Sequence, residues 1–114
     1  MPVKIPVCEP SIGEKEFQYV TDCLRSGWIS SKGEYLAKFE EAFSNYCGAK
    51  FGVSTTSGTT ALHLAMLTLG IGPKDEVIIP TLTMIASANV ITYTGAKPVL
   101  IDSELDTWNM DVAR

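Results

Sequence analysis

The spacing of apolar positions changes character near residue 51. Before it, Phe17, Val20 and Leu24 recur at helical intervals and predict a helix over 13–25, capped by Ser11 and ended at Ser26-Gly27. Leu36, Phe39, Ala42 and Phe43 predict a second helix over 34–46 that buries these four side chains, with Gly48 as its left-handed stop. Pro2, Pro6 and Pro10 are expected to keep residues 2–12 extended. After residue 51 the apolar runs become short and dense. They predict a strand over 51–54, an apolar helix over 58–69, a turn over 70–75, a buried strand over 76–79 and a helix over 85–93 closed by Gly95. A third strand follows over 97–101, with Asp102 at its carboxyl end.

Strand–helix–strand–helix–strand with short connections predicts right-handed crossovers, hence an α/β architecture with parallel strands and helices on the sheet faces. The expected organisation is an arm with two helices over 1–50 and the start of an α/β domain over 51–114. Asp111 reads as the N-cap of a further helix, and the chain stops there. The expectation is therefore the N-terminal piece of a longer protein, its sheet incomplete.

Chemistry concentrates where the strand over 51–54 meets the apolar helix. Ser57-Gly58-Thr59 joins them, and a helix N-terminus carries unpaired N–H groups and partial positive charge. Gly58 would let a phosphate approach the backbone, with Ser57 and Thr59 adding hydroxyls. The plainer reading is that Ser57 only caps the helix. Ligands of parallel sheets bind beyond the carboxyl ends of the strands, and Thr81–Met84 falls at that edge too. Taken singly, Thr83 is a cap-region hydroxyl and Met84 a core methionine. Trp28, in the loop 28–33, is either a packing anchor or a wall of a ligand site. His63 fits a packing or surface role, Asp102 a loop cap or a carboxylate at a strand end, and Asp106 a turn.

Composition narrows the classes. A net charge of −4 without a Lys/Arg cluster argues against nucleic acid and anionic membrane as partners, so a bound phosphate would rely on helix N–H groups. Cys8, Cys23 and Cys47 are odd in number and lack metal-ligand spacing, which suggests reduced packing thiols and a cytoplasmic setting. No metal site is expected, and no Ser/His/Asp set is visible. No run approaches the ~18 apolar residues of a membrane span. The residues alone describe an α/β segment with an anion site and no visible catalytic group.

Three ordered motifs take the reading further: Ser-Gly-Thr-Thr-Ala-Leu-His-Leu-Ala-Met over 57–66, Gly-Ile-Gly-Pro-Lys-Asp-Glu-Val-Ile-Ile-Pro-Thr-Leu-Thr over 70–83, and Thr-Gly-Ala-Lys-Pro-Val over 94–99. With Ser-Gly-Trp-Ile-Ser-Ser-Lys-Gly over 26–33, they resemble the DegT/StrS family of pyridoxal-phosphate-dependent sugar aminotransferases, of aspartate-aminotransferase (fold type I) architecture. The resemblance implies that Ser57, Gly58 and Thr59 hold the phosphate of pyridoxal 5'-phosphate. Met84 would then stand where the family usually stacks an aromatic ring on the cofactor, a departure that a polarisable thioether can accommodate. Trp28, Ser30 and Ser31 would face substrate. The Schiff-base lysine of the family lies beyond residue 114, so no catalytic residue is assigned and the isolated chain is expected to be inactive. Within the family, residues 28–33, 80–87 and 106–108 look most like members that move an amino group from glutamate to GDP-4-keto-6-deoxymannose for polysaccharide (O-antigen) synthesis. The resemblance also implies a homodimer. The alternatives are a related pyridoxal-phosphate-dependent dehydratase, a non-catalytic sugar-nucleotide-binding regulatory relative, and a generic nucleotide-phosphate-binding α/β module.

Overall fold

The computed structural model describes residues 5–113, so Pro2, Lys4 and Arg114 lie outside the described residues. Six elements follow one another: α1 (Glu14–Ser26), α2 (Glu34–Cys47), α3 (Gly58–Thr68), β1 (Glu76–Pro80), α4 (Ile85–Tyr93) and β2 (Lys97–Ile101). Chain contacts divide them into two compact units, one ending at Val53 and one starting at Ser54.

In the first unit, α1 is capped two residues later than Ser11 suggests. Gly13 is its N-cap, and the Gly13 N–H donates to Glu16 Oε2 at 2.7 Å. A carboxylate three residues into a helix can reach back to the cap N–H, a role that Ser11 is too far upstream to play. The backbone N–H of Glu16 itself, and then that of Gly13, hold the Glu16 carboxyl below its ordinary pKa. Gly27 ends α1 and Gly48 ends α2 in the left-handed conformation, at φ 75° and 65°. Tyr19 meets Tyr35 with ring centroids 4.9 Å apart, and the Tyr35 hydroxyl donates to Asp22 Oδ2 at 3.0 Å.

The expected burial in α2 does not hold. Leu36, Phe39, Ala42 and Phe43 are exposed, and the buried residue of that helix is Ser44. Periodicity identifies the face that wants cover, but a neighbouring surface must supply it, and among the described residues of this unit none buries it. Backbone packs close to a different side of α2, at Glu40 and Ser44: a Cβ on Gly52 would stand 2.7 Å from the Glu40 carbonyl oxygen and 3.4 Å from Ser44 Cβ. Cys8 and Cys47 are exposed, so the packing role expected of the thiols is not realised at those two, while Cys23 is half-buried.

In the second unit β1 and β2 pair in parallel, Glu76 opposite Lys97 through Pro80 opposite Ile101. Pro80 is the last residue of its strand, and the Thr81 N–H extends the pairing to the Ile101 carbonyl at 2.8 Å. Residues 51–54 form no ladder, so the sheet of the described residues has two strands rather than three. A strand exists only through hydrogen bonds to a neighbour, and β1 and β2 find each other across the α4 crossover. Ile79, Val90, Ile91 and Ala96 form the core, with Met66, Ile71, Val77 and Ala88 packed on it. The expected burial of all of β1 is confined to Ile79, and α3 has no buried residue. Gly95 closes α4 at φ 82°.

Residues 102–111 form a hairpin-like loop that leads to Asp111, whose side chain makes the bond of an N-cap. Ser103 bridges Met110, Asp111 N–H donates to the Asp102 carbonyl at 2.8 Å, and Ala113 N–H donates to Asp111 Oδ1 at 3.0 Å. The Glu104 carboxylate organises the tip. It accepts from the Thr107 hydroxyl and from the N–H groups of Asp106 and Thr107, and these donors, the hydroxyl foremost, lower its pKa.

Candidate functional site

Topology decides where the helix termini lie. α3 leads through the turn at Gly72–Asp75 to the start of β1, and α4 leads through Gly95 to the start of β2. Both helices therefore finish at the amino edge of the sheet and begin at its carboxyl edge. They pack against each other, with His63 set edge-on to Tyr93 at 5.6 Å between centroids. His63 is thus a packing residue. The lysines of this unit, Lys74 and Lys97, sit at the amino edge, and Lys97 Nζ is 2.9 Å from Glu76 Oε1.

The start of α3 is a closed circuit of hydroxyls around two open amides. Ser57 is the N-cap, and its Oγ accepts the Thr60 N–H at 3.3 Å. In return the Thr60 hydroxyl accepts the Ser57 N–H at 3.0 Å and donates to the Ser57 carbonyl at 2.8 Å. Thr55 donates to the same carbonyl at 3.0 Å. Among the described residues the N–H groups of Gly58 and Thr59 donate to no acceptor, and the Thr59 hydroxyl makes no hydrogen bond. A Cβ built on Gly58 meets nothing within 4 Å. The first turn of α3 contains no acidic residue. Open donors, an unobstructed approach and the positive end of a helix without a carboxylate make this terminus able to take an anion.

Met84 opens α4 as its N-cap with φ −68° and ψ 138°, and it is 77% exposed. It is therefore not the core methionine of the plainer reading. Beside it the hydroxyls of Thr83 and Ser87 are 3.1 Å apart. No hydrogen bond among the described residues joins Met84 to the α3 turn. Trp28 and Ser30 belong to the first unit, where they line an open groove of about 630 Å³ with Asp22, Lys32, Glu34 and Lys38. Ser31 does not line it. Lys38 is paired with Glu34, whose carboxylate raises the lysine pKa, and Asp22 accepts from Tyr35. Among the described residues, no three His, Cys, Asp or Glu side chains gather as metal ligands, and no helix is long and apolar enough to cross a membrane.

Comparison with known proteins bears on this arrangement. Residues 10–114 match the DegT/DnrJ/EryC1/StrS aminotransferase family. The chain belongs to that family. It is 50% identical over 111 residues to GDP-perosamine synthase of Caulobacter vibrioides, covering 97% of this chain and 30% of the relative. With the GDP-perosamine synthase of Escherichia coli O157:H7 it shares 53% identity over 109 residues, covering 96% of this chain and 30% of the relative. The PLP-form of a sugar aminotransferase from Streptococcus pneumoniae superposes with a TM-score of 0.84 at 43% identity, covering 96% of this chain and 28% of that one. The same protein has been solved in its PMP-form. The architecture is that of the fold type I aminotransferases, and the cofactor of the DegT/DnrJ/EryC1/StrS aminotransferases is pyridoxal 5'-phosphate. The chain spans about 30% of the length of these curated relatives.

Sequence reasoning missed two residues that organise these loops. Thr60 is the return half of the Ser57 cap, and its signal was the Ser-x-x-Thr spacing, a neutral version of the capping box. Glu104 had no such signal, because its partners follow it within a loop whose course the sequence does not prescribe.

Proposed function

We propose that the full-length protein is a sugar-nucleotide aminotransferase that moves an amino group from glutamate to a 4-keto sugar nucleotide, GDP-4-keto-6-deoxymannose being the favoured acceptor. Half-identity to two GDP-perosamine synthases supports that acceptor. The observation that carries the reading is the α3 terminus, where the open N–H groups of Gly58 and Thr59 and the free Thr59 hydroxyl fit a phosphate ester. These residues, with Ser57 as the cap that shapes the turn, would hold the phosphate of pyridoxal 5'-phosphate. The cofactor supplies an electron sink and a carrier for the amino group. Met84, exposed at the start of α4, would cover one face of the cofactor ring with its thioether and exclude water from it. Trp28, Ser30 and Ser31 would face the sugar nucleotide.

The lysine that anchors the cofactor covalently would come from outside residues 1–114. Lys74 and Lys97 are the lysines of the second unit, and both stand at the amino edge, away from the open turn. In this reading residues 1–50 are an arm and two helices, and 51–114 begin the cofactor domain of a cytoplasmic homodimer. Residues 1–114 alone would not transaminate.

Thr59→Val in the full-length protein tests the phosphate contact. Loss of a hydrogen bond to a charged group should weaken cofactor binding by about 1–3 kcal/mol, read by titrating the apo-protein with pyridoxal 5'-phosphate and following visible absorbance. Unchanged affinity would remove Thr59 from the site. Formation of 4-amino sugar from the GDP-linked ketone with glutamate, compared with UDP-linked ketones, tests the acceptor.

A further inference from the structure

We propose that Thr60 is a positioning residue for the cofactor phosphate: a neutral cap that satisfies the Ser57 N–H without placing a negative charge at the anion-binding end of α3. The inference rests on the aminotransferase reading above and adds the reason this helix starts as it does.

At a helix start the residue three positions past the cap can take the cap N–H, and Glu or Gln commonly does so. This chain uses both solutions. In α1 the partner is Glu16, whose carboxylate accepts the Gly13 N–H at 2.7 Å, and Glu14 adds a second acid in the first turn. In α3 the partner is Thr60, whose hydroxyl accepts the Ser57 N–H at 3.0 Å, and the first turn holds no acid. A glutamate in place of Thr60 would serve the helix as well or better, since acids in the first turn complement the macrodipole. It would also neutralise the positive end of the helix and set a carboxylate beside any bound phosphate, where like charges repel. Threonine closes the circuit without that charge. Its hydroxyl donates onward to the Ser57 carbonyl at 2.8 Å, so it is occupied on both sides and does not compete for the ligand. Helix stability and anion affinity thus pull in opposite directions at this one position.

The test uses the full-length protein in its apo form, titrated with pyridoxal 5'-phosphate and with inorganic phosphate as competitor, alongside its melting temperature. Thr60→Glu should leave the apo Tm within about 2 °C of the parent, because the cap persists. It should weaken binding of both probes by roughly tenfold or more, an effect that shrinks as salt is raised. Thr60→Gln and Thr60→Ser, neutral and able to cap, should retain near-parent affinity, whereas Thr60→Val should lose affinity and Tm together. Parent-like affinity in Thr60→Glu would overturn the proposal, as would an equal loss in Thr60→Gln and Thr60→Ser. Should Thr60→Glu not fold, the neutral series still decides. Retention in Gln and Ser but not Val supports the role, and equal affinity in all three overturns it. A parent protein that binds neither probe would overturn the aminotransferase reading itself.

Discussion

Ile91→Ala should destabilise the second unit by about 2–5 kcal/mol, the cost of deleting a fully buried aliphatic side chain whose surroundings relax only in part. Ile91 is 1% exposed and is packed among Ile79, Val90 and Ala96. Its carbonyl also takes the Ala96 N–H at 3.2 Å and the Thr94 hydroxyl at 2.8 Å, so the end of α4 is registered against the start of β2 at this residue. The effect should propagate to the loops at the carboxyl edge, because β1 and α4 position Met84 between them. Hydrogen exchange of the β1 and β2 amides in the full-length protein measures it, since local opening is resolved there even when global melting is not two-state. Protection should fall in both strands. Leu105→Ala, at a side chain 85% exposed, should change stability by no more than about 0.5 kcal/mol. Equal protection in the two variants would mean that the core lies elsewhere.

Gly52→Ala is the second large effect expected. The added methyl would stand 2.7 Å from the Glu40 carbonyl oxygen, a backbone atom of α2 that cannot swing aside as a side chain can. Either the helix or the segment beside it must shift, at about 1–3 kcal/mol. Gly72→Ala is the control: its nearest neighbour would be the Thr94 carbonyl oxygen at 3.9 Å, and Gly72 is not among the left-handed glycines. A lower melting temperature in Gly52→Ala alone is the predicted result, and equal melting temperatures would contradict the close approach.

Elements with local signals were legible in the residues. The start of α3 was legible because Ser57 is a cap by chemistry, and the ends of α2 and α4 because Gly48 and Gly95 take conformations that other residues avoid. β1, α4 and β2 followed from short apolar runs bounded by Pro80 and Gly95. What failed depended on partners. Residues 51–54 have strand composition, but composition does not supply a neighbouring strand. Phe39 and Phe43 lie on an apolar face whose cover no local pattern can provide. The Ser11 cap failed for a finer reason: Glu16 reaches Gly13, so the helix starts where the carboxylate can close its box. The site divides likewise. Gly58 and Thr59 were identifiable as the open amides of a Gly-Thr helix start, whereas the neutral logic of Thr60 emerged only when its hydroxyl was seen to hold Ser57 from both sides.

The cofactor phosphate is expected at the start of α3. A crystal structure of the full-length protein with pyridoxal 5'-phosphate tests it most directly. Phosphate oxygens should lie at ordinary hydrogen-bond distance, about 2.7–3.2 Å, from the backbone nitrogens of Gly58 and Thr59, with the Thr59 hydroxyl as a further donor. A phosphate bound at another terminus, with the Gly58 and Thr59 amides facing solvent or covered by other chain, would contradict it.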